Sequence, residues 1–542
     1  MANMIHRAVI FFAINGSLGL SASAVASCGE GCRGVVVSAS PEASELGSQV
    51  LRHGGNAIDA AIAVSLGLTV SEPAGSSIAA QGVMLIRSPE GKSFVLLGIA
   101  RSPRQIPVKV EGRQLRSGYT SVAVPSLLKV LDKAHQQFGS GELSWRQLVT
   151  PVARLAREGF IVGPFREKSF LAYRKNIEHE SIAPLMKTST GSFYTSGDRL
   201  PQPALSRTLE TLAVNGAEDF YRGEIAQSIV NDLAKNGGWL TAEDLSNAPS
   251  PEIVAPVSAD YRGYRIESLP PPFGGWVVLQ ALKLLEREKP GMLEADDDHR
   301  RSALLNALRI VHTERLRVPL LPGESATEHL SDKFIDTLSN EKETGGETTH
   351  FVVADAEGWV VSMTQSINSY YGAGVANTEL GFIYNNYLSG FRLREDAGVR
   401  LFREDAPIQS SMSATLVLKN GQAVMALGSP GSARIISAVT QVASYWIDIE
   451  PDISKAVSAY RVHALRPDRA FVEGPEVSLG LLIDLSKAGF RLRKPMTGTA
   501  NGQLDPYFGG VHAIARQDGH WVGAADPRRD GMAVYAVEED GQ

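Results

Sequence analysis

The chain has 542 residues, 43% of them apolar and 21% charged, with Lys plus Arg at 53 against 59 Asp plus Glu and a net charge of -6. The apolar share excludes wholesale disorder, and the mild negative balance excludes the basic surface of a nucleic-acid binder and an acidic tail protein. With only two cysteines, Cys28 and Cys32, a disulfide scaffold and a metal site built mainly on thiolates are also excluded. At about 150 residues per domain, the length alone suggests three or four domains.

His6 and Arg7 precede an apolar run over residues 8–20 and a small-residue exit over 21–27. This is the pattern of a secretory signal, and the run falls short of the roughly 20 apolar residues a spanning helix needs. Two processing readings compete. Ala24-Val25-Ala26 fits ordinary cleavage, whereas Val25-Ala26-Ser27-Cys28 resembles a bacterial lipobox that would place a lipid anchor on Cys28. Cys28 and Cys32 would otherwise pair in a small loop or stay free. Either way the mature chain is expected to be exported, periplasmic or lipid-tethered in the bacterial envelope.

Residues 35–37 read as a strand running into Ser40-Pro41, a hydroxyl N-cap with proline at the first helical position; the helix stops at Gly54-Gly55. Residues 57–70 are apolar nearly all round, as a helix buried on every side should be. Residues 83–86 and 94–97 flank the turn Ser88-Pro89-Glu90-Gly91 and predict a hairpin. From Pro125 to about Glu314 the pattern is mainly helical, with helices over 145–158, 204–212 and 276–288, the last just after Pro270-Pro271-Pro272.

Residues 322–347 are polar and rich in Ser, Thr, Glu and Gly, the composition of a flexible linker. Strands then return at close spacing. Hairpins are predicted at 349–354 with 359–364, at 415–419 with 422–427 around Asn420-Gly421, and at 511–515 with 520–524 around Asp518-Gly519. Helices over 433–446 and 478–488 alternate with them. Strand-rich ends around a helical middle point to one α+β unit whose sheets draw on both halves of the chain.

Some patterns carry no chemistry. Gly372-Ala373-Gly374 lacks the third glycine of a dinucleotide loop, and Ser429 in Gly428-Ser429-Pro430-Gly431 is not centred between two glycines as a nucleophile elbow requires. No H-E-x-x-H occurs and the 11 histidines are scattered, so neither a metal nor a cofactor is expected. The 428–431 turn does leave backbone N–H groups facing a helix start, where an anion can be met.

Glu347-Thr348-Thr349-His350 lies where the linker enters a strand. One reading is a strand that starts with β-branched residues. The other makes Thr348 a nucleophile hidden inside a precursor. A threonine hydroxyl needs an adjacent base, and cleavage before Thr348 would free its own α-amine beside Oγ.

Ordered motifs join this one: Leu51-Arg52-His53-Gly54-Gly55-Asn56-Ala57-Ile58-Asp59-Ala60-Ala61, Phe220-Tyr221-Arg222-Gly223 and Leu240-Thr241-Ala242-Glu243-Asp244-Leu245. Tyr261-Arg262-Gly263-Tyr264, Ser410-Ser411-Met412-Ser413, Gly428-Ser429-Pro430-Gly431 and Ala525-Asp526-Pro527-Arg528-Arg529 follow. Over roughly residues 33–535 the chain resembles the gamma-glutamyltranspeptidase family. The resemblance implies a four-layer αββα N-terminal-nucleophile hydrolase sandwich assembled from both halves of a self-cleaved precursor. It divides the chain into a signal peptide (1–27), a large subunit (28–347) and a small subunit (348–542). It implies processing at Glu347-Thr348, Thr348 as nucleophile and, through its α-amine, base, and an oxyanion hole from the N–H groups of Gly431 and Ser432. Ser366 would support the nucleophile, while Asn368, Ser410 and Ser411 would hold the substrate.

The departures from the family pattern cluster on substrate recognition. Gly390 stands where the family keeps an acid for the substrate α-amine, and Tyr387 where Gln or Glu is usual. Ile99 replaces the carboxylate-binding arginine, leaving Arg101 as a shifted substitute. Ser432 replaces a glycine and Ser366 a threonine. The leading expectation is therefore a hydrolase or acyltransferase for γ-glutamyl or related amides, passing the acyl group to water or an amine. The rivals are an acylase for glutaryl-type amides lacking the α-amine, and an unprocessed relative that only binds.

Overall fold

Alternation along the first strand decides how the core divides. In Cys32–Ser38, Val36 joins an apolar cluster built with helix residues such as Leu46 and Ile62, while Val35 and Val37 face a different cluster. Successive strand side chains point to opposite faces, so one strand serves two cores. The computed structural model describes residues 27–29, 31–317, 319–335, 347–466, 468–474, 477–495 and 504–538. Residues 1–26 of the expected signal and 336–346 of the expected linker lie outside them.

The fold is mixed α+β around two main sheets. The 7-stranded sheet runs, in spatial order, Met532–Val537, Cys32–Ser38, Glu347–Asp355, Val360–Asn368, Gln81–Arg87, Ser93–Leu97 and Glu252–Val254. The 6-stranded sheet runs His520–Ala525, His512–Gln517, Gln422–Gly428, Thr415–Lys419, Tyr264–Ser268 and Val257–Tyr261. All pairings within these two sheets are antiparallel. Strands from before and after the Glu347–Thr348 junction are interleaved, so neither half could close the first sheet alone.

Three apolar clusters follow. One lies between the sheets and joins Val37, Leu85 and Val352 to Leu416 and Ile514. A second packs the other face of the first sheet (Met84, Phe351, Met363) on helices Pro41–Arg52 and Ala57–Ser71. The third packs Val417 and Met425 on Gly275–Leu285, Asp297–Arg317 and Arg434–Asp448. The Ala57–Ser71 helix is buried at every residue, as its composition required. Its N-terminus carries an Asn56/Asp59 capping box, and the Asp355 carboxylate accepts the Ala57 N–H at 2.8 Å, tying the helix to the end of the Glu347–Asp355 strand.

Three expectations are corrected. The stretch read as helical from 125 to 314 contains the hairpin Val257–Tyr261/Tyr264–Ser268, turned at Arg262-Gly263, both at positive φ. The described part of the linker is structured: Glu328–Leu330 and Asp332–Ile335 form short helical turns, with Ala326 and Ile335 buried. Cys28 is joined to Cys32 by a disulfide, which occupies the sulfur a lipid anchor would need. No helix among the described residues is long and apolar enough to cross a membrane.

Burial also makes the fold sensitive to acid. His312, His350, His463 and His512 are wholly buried and pushed below the ordinary imidazole range, His512 to about 4. A histidine held neutral contributes stability above the unfolded value near 6.5, lost as pH falls toward the folded one; His512 alone accounts for ~3 kcal/mol. Asp355, raised by burial to about 6, and the partly buried Asp132, Asp232 and Asp448, raised by the same cause, work in the opposite direction, but of these groups only the four histidines are wholly buried. The urea midpoint is therefore expected to drop between pH 7 and pH 4.5; an unchanged midpoint would contradict this balance.

Candidate active site

Thr348 sits at the start of the Glu347–Asp355 strand, 6% exposed, in a chain that runs uncut from Glu347. Its neighbour strand does not pair evenly. Gln365 is opposite Thr349 and Asn368 opposite Glu347, so Ser366 and Ile367 together face the single residue Thr348. Such a β-bulge re-aims side chains, and here it sets Ser366 beside the threonine. The run after Glu72-Pro73 embraces the same spot: Ile367 N–H donates to Gly75 O at 3.1 Å. A Cβ on Gly75 would lie 3.2 Å from the Thr348 carbonyl oxygen, so this glycine is where the backbones meet.

Hydroxyls and amides converge on the bulge. Ser366 Oγ accepts the Asn368 N–H at 2.7 Å. Asn368, at φ 79°, turns its Nδ2 to Asn386 Oδ1 (3.0 Å) and Ser389 Oγ (2.8 Å), which directs its side-chain amide toward the 386–389 segment. Tyr387 is buried, and its phenol is hydrogen-bonded to both Ser366 and Ser410 while burial pushes its ionisation up. Tyr387 thus links Ser366, beside Thr348, to Ser410. Ser410 N–H donates to Pro272 O at 3.2 Å, which gives the Pro270-Pro271-Pro272 run a place in the site.

The turn at 428–432 closes the other side. Gly431 has φ 119° and Ser432 φ 59°. The left-handed region costs a side chain roughly 1 kcal/mol or more, which is why glycine suits the position that Ser432 occupies. Arg434 N–H donates to Gly431 O and Ile435 N–H to Ser432 O, so the turn runs straight into the Arg434–Asp448 helix. Its outer support is buried and ionic. Ser429 Oγ accepts the Gly510 N–H at 3.1 Å, Asp526 takes the Val511 N–H at 2.7 Å, and Arg461 and Arg528 clasp Asp526 at 2.7 and 3.0 Å. Burial opposes the Asp526 charge, but the two guanidiniums hold it below the usual carboxylate range. The Ala525–Arg529 motif therefore braces the turn from behind.

One cavity of about 120 Å³ gathers Thr348, Ser366, Asn368, Tyr387, Ser410 and Ser411, with Ser432 at its edge. The sequence-predicted set thus converges, apart from Arg101. That residue does not line the cavity: its Nε donates to Asp405 at 2.7 Å, and the carboxylate claims the guanidinium. Gly431 is adjacent through the turn rather than in the lining, and only the backbone of Glu347 is described.

Three cations that the sequence reading missed replace Arg101. Arg315, Arg392 and Arg400 all line the cavity, and among the described residues no Asp or Glu does. Arg315 donates to Ser411 Oγ at 2.6 Å and Ser410 O at 2.8 Å. Arg392 donates to the carbonyls of Ser389 and Phe391 at 3.1 and 2.8 Å. The Arg400 Nε is buried without a hydrogen-bond partner among the described residues. Arg392 and Arg400 fall in an arginine-dense stretch just after the altered Asn385-Asn386 segment, a signal that was available in the sequence; Arg315 had none. Among the described residues no cluster of three or more His, Cys, Asp or Glu could hold a metal.

Fold and cavity together place the chain among the amidohydrolases and transpeptidases. The family model "Gamma-glutamyltranspeptidase" matches residues 43–536, and the chain belongs to that family. It is 30% identical to the glutathione hydrolase proenzyme of Escherichia coli (strain K12), covering 92% of this chain and 90% of that one. It is 31% identical to the acylase ACY 1 proenzyme of Pseudomonas sp. (strain V22), covering 93% and 94%. The crystal structure of cephalosporin acylase from Bacillus halodurans superposes with a TM-score of 0.83 at 25% identity, over 97% of this chain and 99% of that one.

Proposed function

We propose that this protein is an exported, self-cleaving amidase of the family whose substrates carry a carboxylate, and no α-amine, on the acyl half. The observation that carries this is the lining of the Thr348 cavity, which among the described residues has three arginines and no acid. A carboxylate gains strong, charge-assisted hydrogen bonds there, whereas an ammonium would be desolvated among cations. The γ-glutamyl reading needs an acidic partner, and Gly390 stands in its place. The likeness to both an acylase and a glutathione hydrolase is compatible with either acyl group, and the cavity's arginines are what favour the acylase reading.

In this reading Thr348 Oγ attacks the Glu347 carbonyl, the peptide shifts from N to O, and the ester is hydrolysed. Before that cut the Thr348 nitrogen is an amide and no base; afterwards it is an amine next to its own Oγ. Thr348 then attacks the substrate amide, with Ser366 holding its surroundings. The N–H groups of Gly431 and Ser432 meet the developing oxyanion, a contribution typically worth ~10²–10³ in rate per donor. The acyl-enzyme passes its acyl group to water or an amine. Helix, sheet, sheet and helix lie in that order across the three apolar clusters, which supports the four-layer αββα sandwich of N-terminal-nucleophile hydrolases. The Cys28–Cys32 disulfide supports export, because such bonds persist in oxidising compartments.

Purified enzyme is expected to hydrolyse glutaryl p-nitroanilide with a kcat/KM at least ~10-fold above that for the γ-glutamyl anilide, a difference of about 1.4 kcal/mol. A preference for the γ-glutamyl compound would reverse the assignment.

A further inference from the structure

A second cavity, of about 440 Å³, shares a wall with the catalytic one. The wall is one residue thick, because two chain segments present alternate residues to opposite sides. Asn368 and Tyr387 line the catalytic cavity, while their neighbours Ser369 and Asn386 line the second. Asn386 is 3% exposed and bonded in both directions. Its Oδ1 accepts from Asn368 Nδ2 and Ser369 N–H, each at 3.0 Å, and its Nδ2 donates to Arg116 O at 2.8 Å and Ser369 Oγ at 2.9 Å. A shift on one side is thus felt on the other.

The chemistry of the second cavity is one-sided. Arg116 and Lys175 line it, neither with an ion-pair partner among the described residues, and no Asp or Glu does. His179 adds a donor: its Nδ1 accepts the Ser181 N–H at 3.2 Å, so the proton of the neutral ring sits on Nε2. Tyr119 lies edge-on to His179 at 6.1 Å and offers a flat apolar surface. The opposite wall is closely packed backbone. Tyr371, Gly372 and Gly374 all have positive φ, and a Cβ on Gly372 would come within 2.0 Å of the Tyr384 carbonyl.

We propose that this cavity binds a small molecule with a carboxylate or similar oxyanion, held by Arg116, Lys175 and His179, and that its occupancy is transmitted through Asn386 to Asn368. The volume suits a compact organic molecule. The oxyanion has two sources: the carboxylate of the amine that the acyl-enzyme releases or accepts, or a free inorganic anion. The link to turnover rests on the amidase reading above; the binding site does not.

The test is calorimetric titration of the full chain and of the double variant Arg116→Ala/Lys175→Ala with 4-aminobenzoate and with inorganic phosphate. Saturable binding of either probe, weakened at least ~10-fold in the variant, supports the site. Binding of aminobenzoate alone identifies the amine as the source, and binding of phosphate identifies a free anion. No saturable binding of either probe to the wild type, or equal binding by the variant, overturns the proposal. The variant should keep its turnover of a glutaryl anilide whose amine half carries no charge. If the wild type turns over no anilide, the amidase reading fails while the titration remains readable.

Discussion

Thr348→Ala is expected to leave the chain as one uncut polypeptide on denaturing electrophoresis and to abolish turnover of every amide. Both effects have one cause. In the proposed mechanism the Oγ that attacks the Glu347 carbonyl in the precursor is the Oγ that attacks the substrate in the mature enzyme, and alanine supplies neither. Loss of an attacking hydroxyl of this kind costs on the order of 10⁴–10⁶ in kcat. Thr348→Ser keeps the oxygen and should retain both processing and measurable activity, which separates chemistry from folding. The substitution removes little volume at a site 6% exposed, so the variant should fold. Cleavage in Thr348→Ala, or activity above ~1% of wild type, would move the nucleophile elsewhere; Ser366, set opposite by the bulge, is the hydroxyl to examine next.

Gly390→Asp should move the specificity toward γ-glutamyl amides. The position has room: a Cβ there meets only Ile408 Cγ2, at an ordinary 3.5 Å, and its φ is not in the left-handed region. An added carboxylate among Arg315, Arg392 and Arg400 would stay ionised and offset part of their charge. It would also supply the partner that a substrate ammonium lacks. The ratio of kcat/KM for the γ-glutamyl over the glutaryl anilide is expected to rise ~10–100-fold, or about 1.4–2.8 kcal/mol, with the glutaryl rate falling. Gly390→Asn, equal in size and uncharged, should leave the ratio near wild type. An unchanged ratio in Gly390→Asp would mean that the arginines do not set specificity.

Much of the framework was legible locally. Ser40-Pro41, the nearly all-apolar 57–70 run and Asn420-Gly421 each carry their own structural reason within a few residues, and each forms the element expected. The 257–268 hairpin escaped because its strands are short and polar, and its turn rests on Arg262 adopting a positive φ. For Cys28 and Cys32 the sequence leaves a tether, a bond and free thiols open, because spacing alone cannot tell them apart; the fold brings the two sulfurs together.

The site divides along the same line. The candidate nucleophile, its candidate supporting hydroxyls and the glycine at position 390 are properties of single positions, and the sequence by itself pointed to them. The charge of the cavity is a property of no position. It arises because a helix ending at Arg317 and a loop some eighty residues later deliver arginines to the same cavity, while Asp405 holds Arg101 away from it. Electrostatic character depends on distances through space between groups far apart in the chain, and only the tertiary structure sets those distances.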